Sequence, residues 1–278
     1  MIKTKQLIVI GAVIAVIAVL LAQPIKGLVN KDKEAAAASD TKPSNEINME
    51  NVSSMAKQGL DASLVKEISD IEAQIAKSSG DEKINLLEQL ATKWDDVAKP
   101  APQAFVYEEL AKISPKFDYW LKAGNAYRAA YTNLQDSTLA QALNQNAIHA
   151  YEAALKANSS SLDAKTGLGA AMVSGTNNPM AGIALLREVV AADPKNLEAN
   201  KTLGLFSLQS RQFDKAIERF KTVIDQKPDA ESYFYLATGY ENIGMKKEAV
   251  TAFKKSKELA ADPSLSQFID RKIEELSK

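Results

Sequence analysis

The chain has no cysteine. That absence excludes disulfides, cysteine metal sites, a thiol nucleophile and a lipid-bearing N-terminal cysteine. Histidine occurs once, as His149, so no cluster of several histidines can hold a metal. Glycine and proline are scarce, at 12 and 9 of 278 residues, which excludes collagen-like and proline-rich low-complexity chains. A basic surplus is also missing, with 34 Lys and Arg against 35 Asp and Glu. Nucleic-acid binders need such a surplus to neutralise phosphates, so no nucleic-acid partner is expected. What the chain does have is 46% apolar residues, enough for a packed core.

Catalytic constellations are equally sparse. His149 falls next to apolar helical positions and has no second histidine to work with. The acidic pairs Asp95-Asp96, Glu108-Glu109 and Glu274-Glu275 are sequence neighbours. On a helix such neighbours point about 100° apart and cannot converge on one metal or bond. Gly167-Leu168-Gly169 lacks the strand-to-helix setting and third glycine of a dinucleotide loop. No catalytic residues, metal site or cofactor are expected, and the chain is read as a non-enzyme.

One long apolar run stands at the start. Leu7 to Ala22 carries no charge and follows Lys3 and Lys5. Sixteen residues make a helix of roughly 24 Å, short of a bilayer core of about 30 Å but within reach if the edges extend it. The reading is a cytoplasmic tail over 1–6 and a single transmembrane anchor over 7–25. The competing reading is a signal peptide cleaved near Gln23, leaving a secreted protein. The short basic start favours an N-terminus in the cytoplasm and a body in the periplasm. The lysine count alone, with Lys26, Lys31 and Lys33 after the run, points the other way. Residues 26–60 are polar and lack a sustained apolar period, so they read as a flexible linker.

A helix is expected over 61–79. Leu64, Ile68, Ile71 and Ile75 make one apolar stripe. Either the stripe caps the domain that follows, or it pairs two chains as a short coiled coil and makes a homodimer.

A period near 34 residues then sets in. Leu203 and Gly204 lie on a first helix, Ala216, Phe220 and Val223 on a second, and Pro228 follows. Gly182, Leu186, Val189 and Pro194 repeat the second set one period earlier, and Ala249, Phe253 and Ser256 repeat it later. Leu236, Ala237, Tyr240 and Gly244 supply that later copy's first helix and turn. Trp120, Ala123, Gly124 and Tyr127 begin another copy, continued by Ala147, Tyr151 and Ala154. Gly124 and Ala147 are 23 residues apart, against 12 from Gly204 to Ala216, so about eleven extra residues sit at that turn, between Thr132 and Gln145. The earliest copy has Leu87, Leu90, Ala91 and Trp94, then Tyr107, Leu110 and Pro115.

This pattern resembles the tetratricopeptide repeat, of the membrane-anchored bacterial envelope type. Gln103, Gly182 and Ser159 depart from it. The fold expected is all-α: a solenoid of about five helical hairpins over 84–262, with an N-terminal capping helix and a C-terminal one over 263–278, preceded by the single transmembrane helix. The resemblance implies a concave wall lined by the first helices. Leu121, Asn125, Arg128, Lys201, Leu205, Phe234, Thr238 and Glu241 are the residues it places there, with Leu208, Glu198 and Glu231 beside them. It implies a protein or peptide partner and a role as a scaffold or adaptor at the cell envelope, in assembly or quality control of secreted proteins. Self-association through 61–79 is the alternative. Some family members grip a C-terminal carboxylate with lysines, asparagines and an arginine. Asn125 matches one element, but Leu121, Glu198 and Thr202 stand where cations would be, so that activity is not expected. The insertion between Thr132 and Gln145 is a second candidate contact surface.

Overall fold

The computed structural model describes residues 47–132, 134 and 136–278, all within a compact unit spanning Glu46–Lys278. The expected tail, the anchor over 7–25 and most of the 26–60 linker lie outside the described residues. Among the described residues no helix is long and apolar enough to cross a membrane.

The described residues fold into thirteen helices with no strand. They are α1 (Met49–Lys57), α2 (Ala62–Ile75), α3 (Gly80–Asp96), α4 (Pro100–Ile113), α5 (Phe117–Thr132), α6 (Ser137–Ala157) and α7 (Leu162–Gly175). Then come α8 (Pro179–Ala192), α9 (Leu197–Gln209), α10 (Phe213–Gln226), α11 (Ala230–Asn242), α12 (Lys246–Leu259) and α13 (Pro263–Leu276). From α3 to α12 they pair as five antiparallel hairpins, each packed on the next. Side-chain caps start many of them: Asp61, Asp136, Ser161, Asn196, Asp229 and Asp262 each accept from backbone N–H groups of the first turn.

No hairpin can bury enough apolar surface by itself, and the core is made where neighbours meet. Trp94, Tyr127, Tyr151, Phe220 and Phe253 are the large anchors, all at 0% exposure. Trp120 is half-buried and packs against the two clusters on either side of it. At the C-terminal end Ile269 of α13 is buried against Phe220, Phe253 and their neighbours, so α13 closes that end of the stack.

Three details differ from the sequence reading. First, the stretch read as linker contains a helix, α1. Asn48 caps it by accepting from Asn51 N–H at 2.9 Å, and Val52 and Ser53 are buried. Ser53 donates to Glu72 at 2.6 Å, Lys57 pairs with the same carboxylate, and the helix lies along α4. A nine-residue helix with one buried branched side chain shows no sequence period; tertiary contacts hold it. Second, the stripe of α2 is spent inside the chain. Ile68 is fully buried with Leu87, Leu90 and Trp94, and Ile71 and Ile75 pack on that cluster. Ile68, Ile71 and Ile75 thus serve as a cap on the first hairpin. Third, most of the residues inserted after Thr132 lengthen a helix. α6 has 21 residues and starts at Ser137, with Asp136 accepting from Thr138 and Leu139 N–H at 2.9 and 3.0 Å. Leu143 is buried in the core and Leu139 packs against it, while Asp136, Ser137, Thr138 and Gln141 stay exposed.

Candidate functional site: the face of the first helices

The first helices of hairpins two to five are α5, α7, α9 and α11. Where they stack, small residues let a second-helix ring reach through. Tyr151 of α6 lies between Gly124 of α5 and Gly167 of α7. A Cβ on Gly124 would sit 2.7 Å from the ring, and one on Gly167 closer still. The ring is buried, while its hydroxyl emerges on the first-helix side and donates to Asn125 Oδ1 at 2.8 Å. Burial pushes this hydroxyl above the ordinary tyrosine range, and nearby Arg128 only partly offsets it. Tyr151 is thus a proton donor at neutral pH.

Arg128 donates to Glu198 Oε1 at 2.6 Å, joining α5 to α9 across the intervening hairpin. Burial would lower the guanidinium's pKa, but Glu198 more than compensates and the group stays charged. A recess of about 300 Å³ lies here, lined by Asn125, Arg128, Asp163, Thr166, Gly167, Asn196, Leu197 and Glu198. Gly167 lines it with backbone alone.

Two further ion pairs continue the line. Lys201 of α9 meets Glu231 of α11 at 2.5 Å, and Glu241 of α11 meets Lys272 of α13 at 2.9 Å. A second recess, about 590 Å³, lies beside the last pair and is lined by Phe234, Thr238, Glu241, Asn242, Phe253, Phe268 and Lys272.

The eight residues expected from sequence therefore divide. Asn125 and Arg128 share the first recess, and Phe234, Thr238 and Glu241 share the second. Leu121, Lys201 and Leu205 line neither. Leu121 packs on the core of the second hairpin, Leu205 on that of the last hairpins, and Lys201 is committed to Glu231. Sequence reasoning missed Tyr151 as a groove hydroxyl, Asp163 and Thr166 as lining, and the approach of Phe268 and Lys272 from the terminal helix. The glycines at 124 and 167 were the available signal for Tyr151.

A larger cavity of about 1150 Å³ lies among α1 to α4, with Ile47, Ile75, Leu87 and Phe105 among its walls. Its lysines are already matched: Lys57 with Glu72, Lys83 with Glu109, Lys112 with Glu108. Near it Tyr119 donates to Glu88 at 2.5 Å, and this bond, with burial, pushes the Tyr119 hydroxyl up to about 12. The ordinary value is near 10. A folded-state pKa raised in this way gives stability that is complete below pH 10 and lost as pH rises through 12. Unfolding by denaturant should therefore become easier between about pH 10 and pH 12. Tyr119→Phe should show a shallower loss over that window, read by circular dichroism.

Stacked helical hairpins with a lined face on their first helices define an α-solenoid of the repeat class. Two tetratricopeptide-repeat family models match residues 136–196 and 177–238, which run from α6 into α11. Residues 136–238 are tetratricopeptide repeats. Among solved structures it is similar to MamA, at 24% identity and TM-score 0.50, over 64% of this chain and 92% of that one. It is similar too to MamA from residue 41 to its end, from Desulfovibrio magneticus RS-1, at 23% identity and TM-score 0.51, over 66% and 97%. YrrB, described as a TPR protein with an unusual peptide-binding site, aligns at 18% identity and TM-score 0.49, over 72% and 97%. No curated protein sequence matches the chain.

Proposed function

We propose that the chain is a membrane-anchored adaptor or scaffold whose first-helix face holds a protein or peptide partner at the cell envelope, in assembly or quality control of secreted proteins. The observation that carries the reading is the recess at Asn125, Arg128 and Glu198. It draws on three successive hairpins and offers an exposed amide, a charged pair and a glycine floor to an incoming chain. Such a surface binds; among the described residues it assembles no group of metal ligands. The tetratricopeptide fold supports protein binding as the activity. The anchor rests on the uncharged run from Leu7 to Ala22, with the repeats outside the cytoplasm; secretion after cleavage is the alternative.

Affinity capture of the tagged full chain from detergent extract should recover a discrete protein. Arg128→Ala combined with Phe234→Ala should lower that recovery at least roughly tenfold, about 1.4 kcal/mol. Unchanged recovery would remove the first-helix face from the mechanism. Because the chain has no native cysteine, Ser39→Cys can be labelled with an impermeant maleimide, and labelling of intact cells is expected if the body lies outside the cytoplasm.

A further inference from the structure

The recess between α11 and α13 has a composition of its own. Phe234 is its centre, with ring centroids of Phe253 at 5.6 Å and Phe268 at 5.9 Å. Phe253 is sealed, but Phe268 is 39% exposed, so an aromatic face is open to the outside. At the rim, Thr238 spends its hydroxyl proton on Phe234 O and Asn242 spends an amide proton on Thr238 O. Beside Lys272 and the second Asn242 amide proton, the rim offers two acceptors: the second Glu241 oxygen and the Asn242 side-chain carbonyl.

The chain already shows which groups this recess attracts. Arg271 sits over the Phe268 ring at 5.8 Å, and Lys272 meets Glu241 at 2.9 Å, with both carboxylate and ammonium still about a quarter exposed. Both cations come from the chain's own last helix.

The first turns of the four first helices are acidic. Asp118, Asp163, Glu198 and Glu231 each stand in the first turn of α5, α7, α9 and α11. Glu198 and Glu231 are met by Arg128 and Lys201, whereas Asp118 and Asp163 have no ion pair among the described residues. The other lysines of α5 and α7 look elsewhere: Lys122 lies over the Tyr107 ring and Lys165 pairs with Glu188.

Resting on the groove reading above, we infer that the partner is a basic segment, and that the recess between α11 and α13 takes one of its arginine side chains. The guanidinium stacks on Phe268 and Phe234 and shares or displaces Lys272 on Glu241. Arginine suits the recess better than lysine because its planar group can stack and bond to a carboxylate at once. The unpaired first-turn carboxylates then set the direction of the long-range field that draws a basic segment along the face.

The test uses the full chain and a fluorescein-labelled peptide alternating arginine and serine, read by anisotropy at low ionic strength. Its counterparts carry lysine or glutamate in place of arginine. The arginine peptide should bind tightest, lysine more weakly and glutamate not at all. Phe268→Leu keeps the apolar packing and removes the aromatic face; Glu241→Gln keeps the shape and removes the charge. Each should weaken the arginine peptide roughly five- to tenfold. Equal binding of the glutamate peptide, no binding of the arginine peptide, or binding indifferent to both substitutions overturns the inference. Captured protein that still depends on Arg128 and Phe234 would leave the adaptor reading standing in that event.

Discussion

Phe220→Ala should remove about 3–5 kcal/mol of unfolding free energy, the usual range for deleting a fully buried phenylalanine. Phe220 is at 0% exposure, and its contacts explain why the site cannot relax. Its ring presses on α9, where a Cβ on Gly204 would sit 2.9 Å from Cε2, and meets Tyr235 of α11 at 5.3 Å. The hole would thus open between two hairpins, at the joint that couples them. In a stack whose stability is a sum of units and joints, weakening one joint also uncouples the parts on either side. The midpoint of thermal unfolding should fall by roughly 10 °C, and the transition should broaden or split. A fall of only a degree or two would mean that the hairpins are held by something other than these rings.

Gly167→Ala is the second large effect, and its interest lies in how it depends on Tyr151. The methyl would collide with the Tyr151 ring, which is wedged between Gly167 and Gly124 and cannot retreat toward α5. Overpacking of this kind costs about 1–3 kcal/mol. Tyr151→Ala alone leaves a large void and should cost about 3–5 kcal/mol. In the double variant the methyl enters the space the ring left, so adding Gly167→Ala to Tyr151→Ala should cost almost nothing. A double-mutant cycle by urea denaturation measures that coupling, with about 1–3 kcal/mol expected. Simple additivity would show that the ring and the glycine do not share the joint. The same pair links fold to site: moving the ring moves the hydroxyl that holds Asn125 at the groove.

Much of this architecture can be read from residue spacing, because a solenoid writes its period into the chain. Gly204, Ala216 and Phe220 recur in kind at Gly124, Ala147 and Tyr151, and again at Ala237, Ala249 and Phe253, for one physical reason. A close helix crossing needs a small residue, and the gap beside it needs a ring. What the period does not carry was missed. The helix α1 buries Val52 and Ser53 through partners on α2 and α4, and nothing within its own nine residues announces it. The residues added before Ala147 were expected at a turn, yet Leu139 and Leu143 draw them into a longer helix. The site was legible only in part. Asn125 and Arg128 fall in register on one face, but the partner of Arg128 is Glu198, seventy residues away. No local rule selects Glu198, and the geometry of three stacked hairpins does. Likewise Phe234 and Glu241 are on the expected face, while Phe268 and Lys272 reach them only because α13 closes the stack.

The central claim is that partners are held on the first-helix face. A photo-crosslinking amino acid placed at Asn125 of the full chain in the cell that makes it tests it most directly, with the same group at exposed Glu152 on α6, a second helix, as the comparison. A discrete adduct from Asn125 and none from Glu152 is expected. Equal adducts from both positions, or an adduct from Glu152 alone, would contradict it.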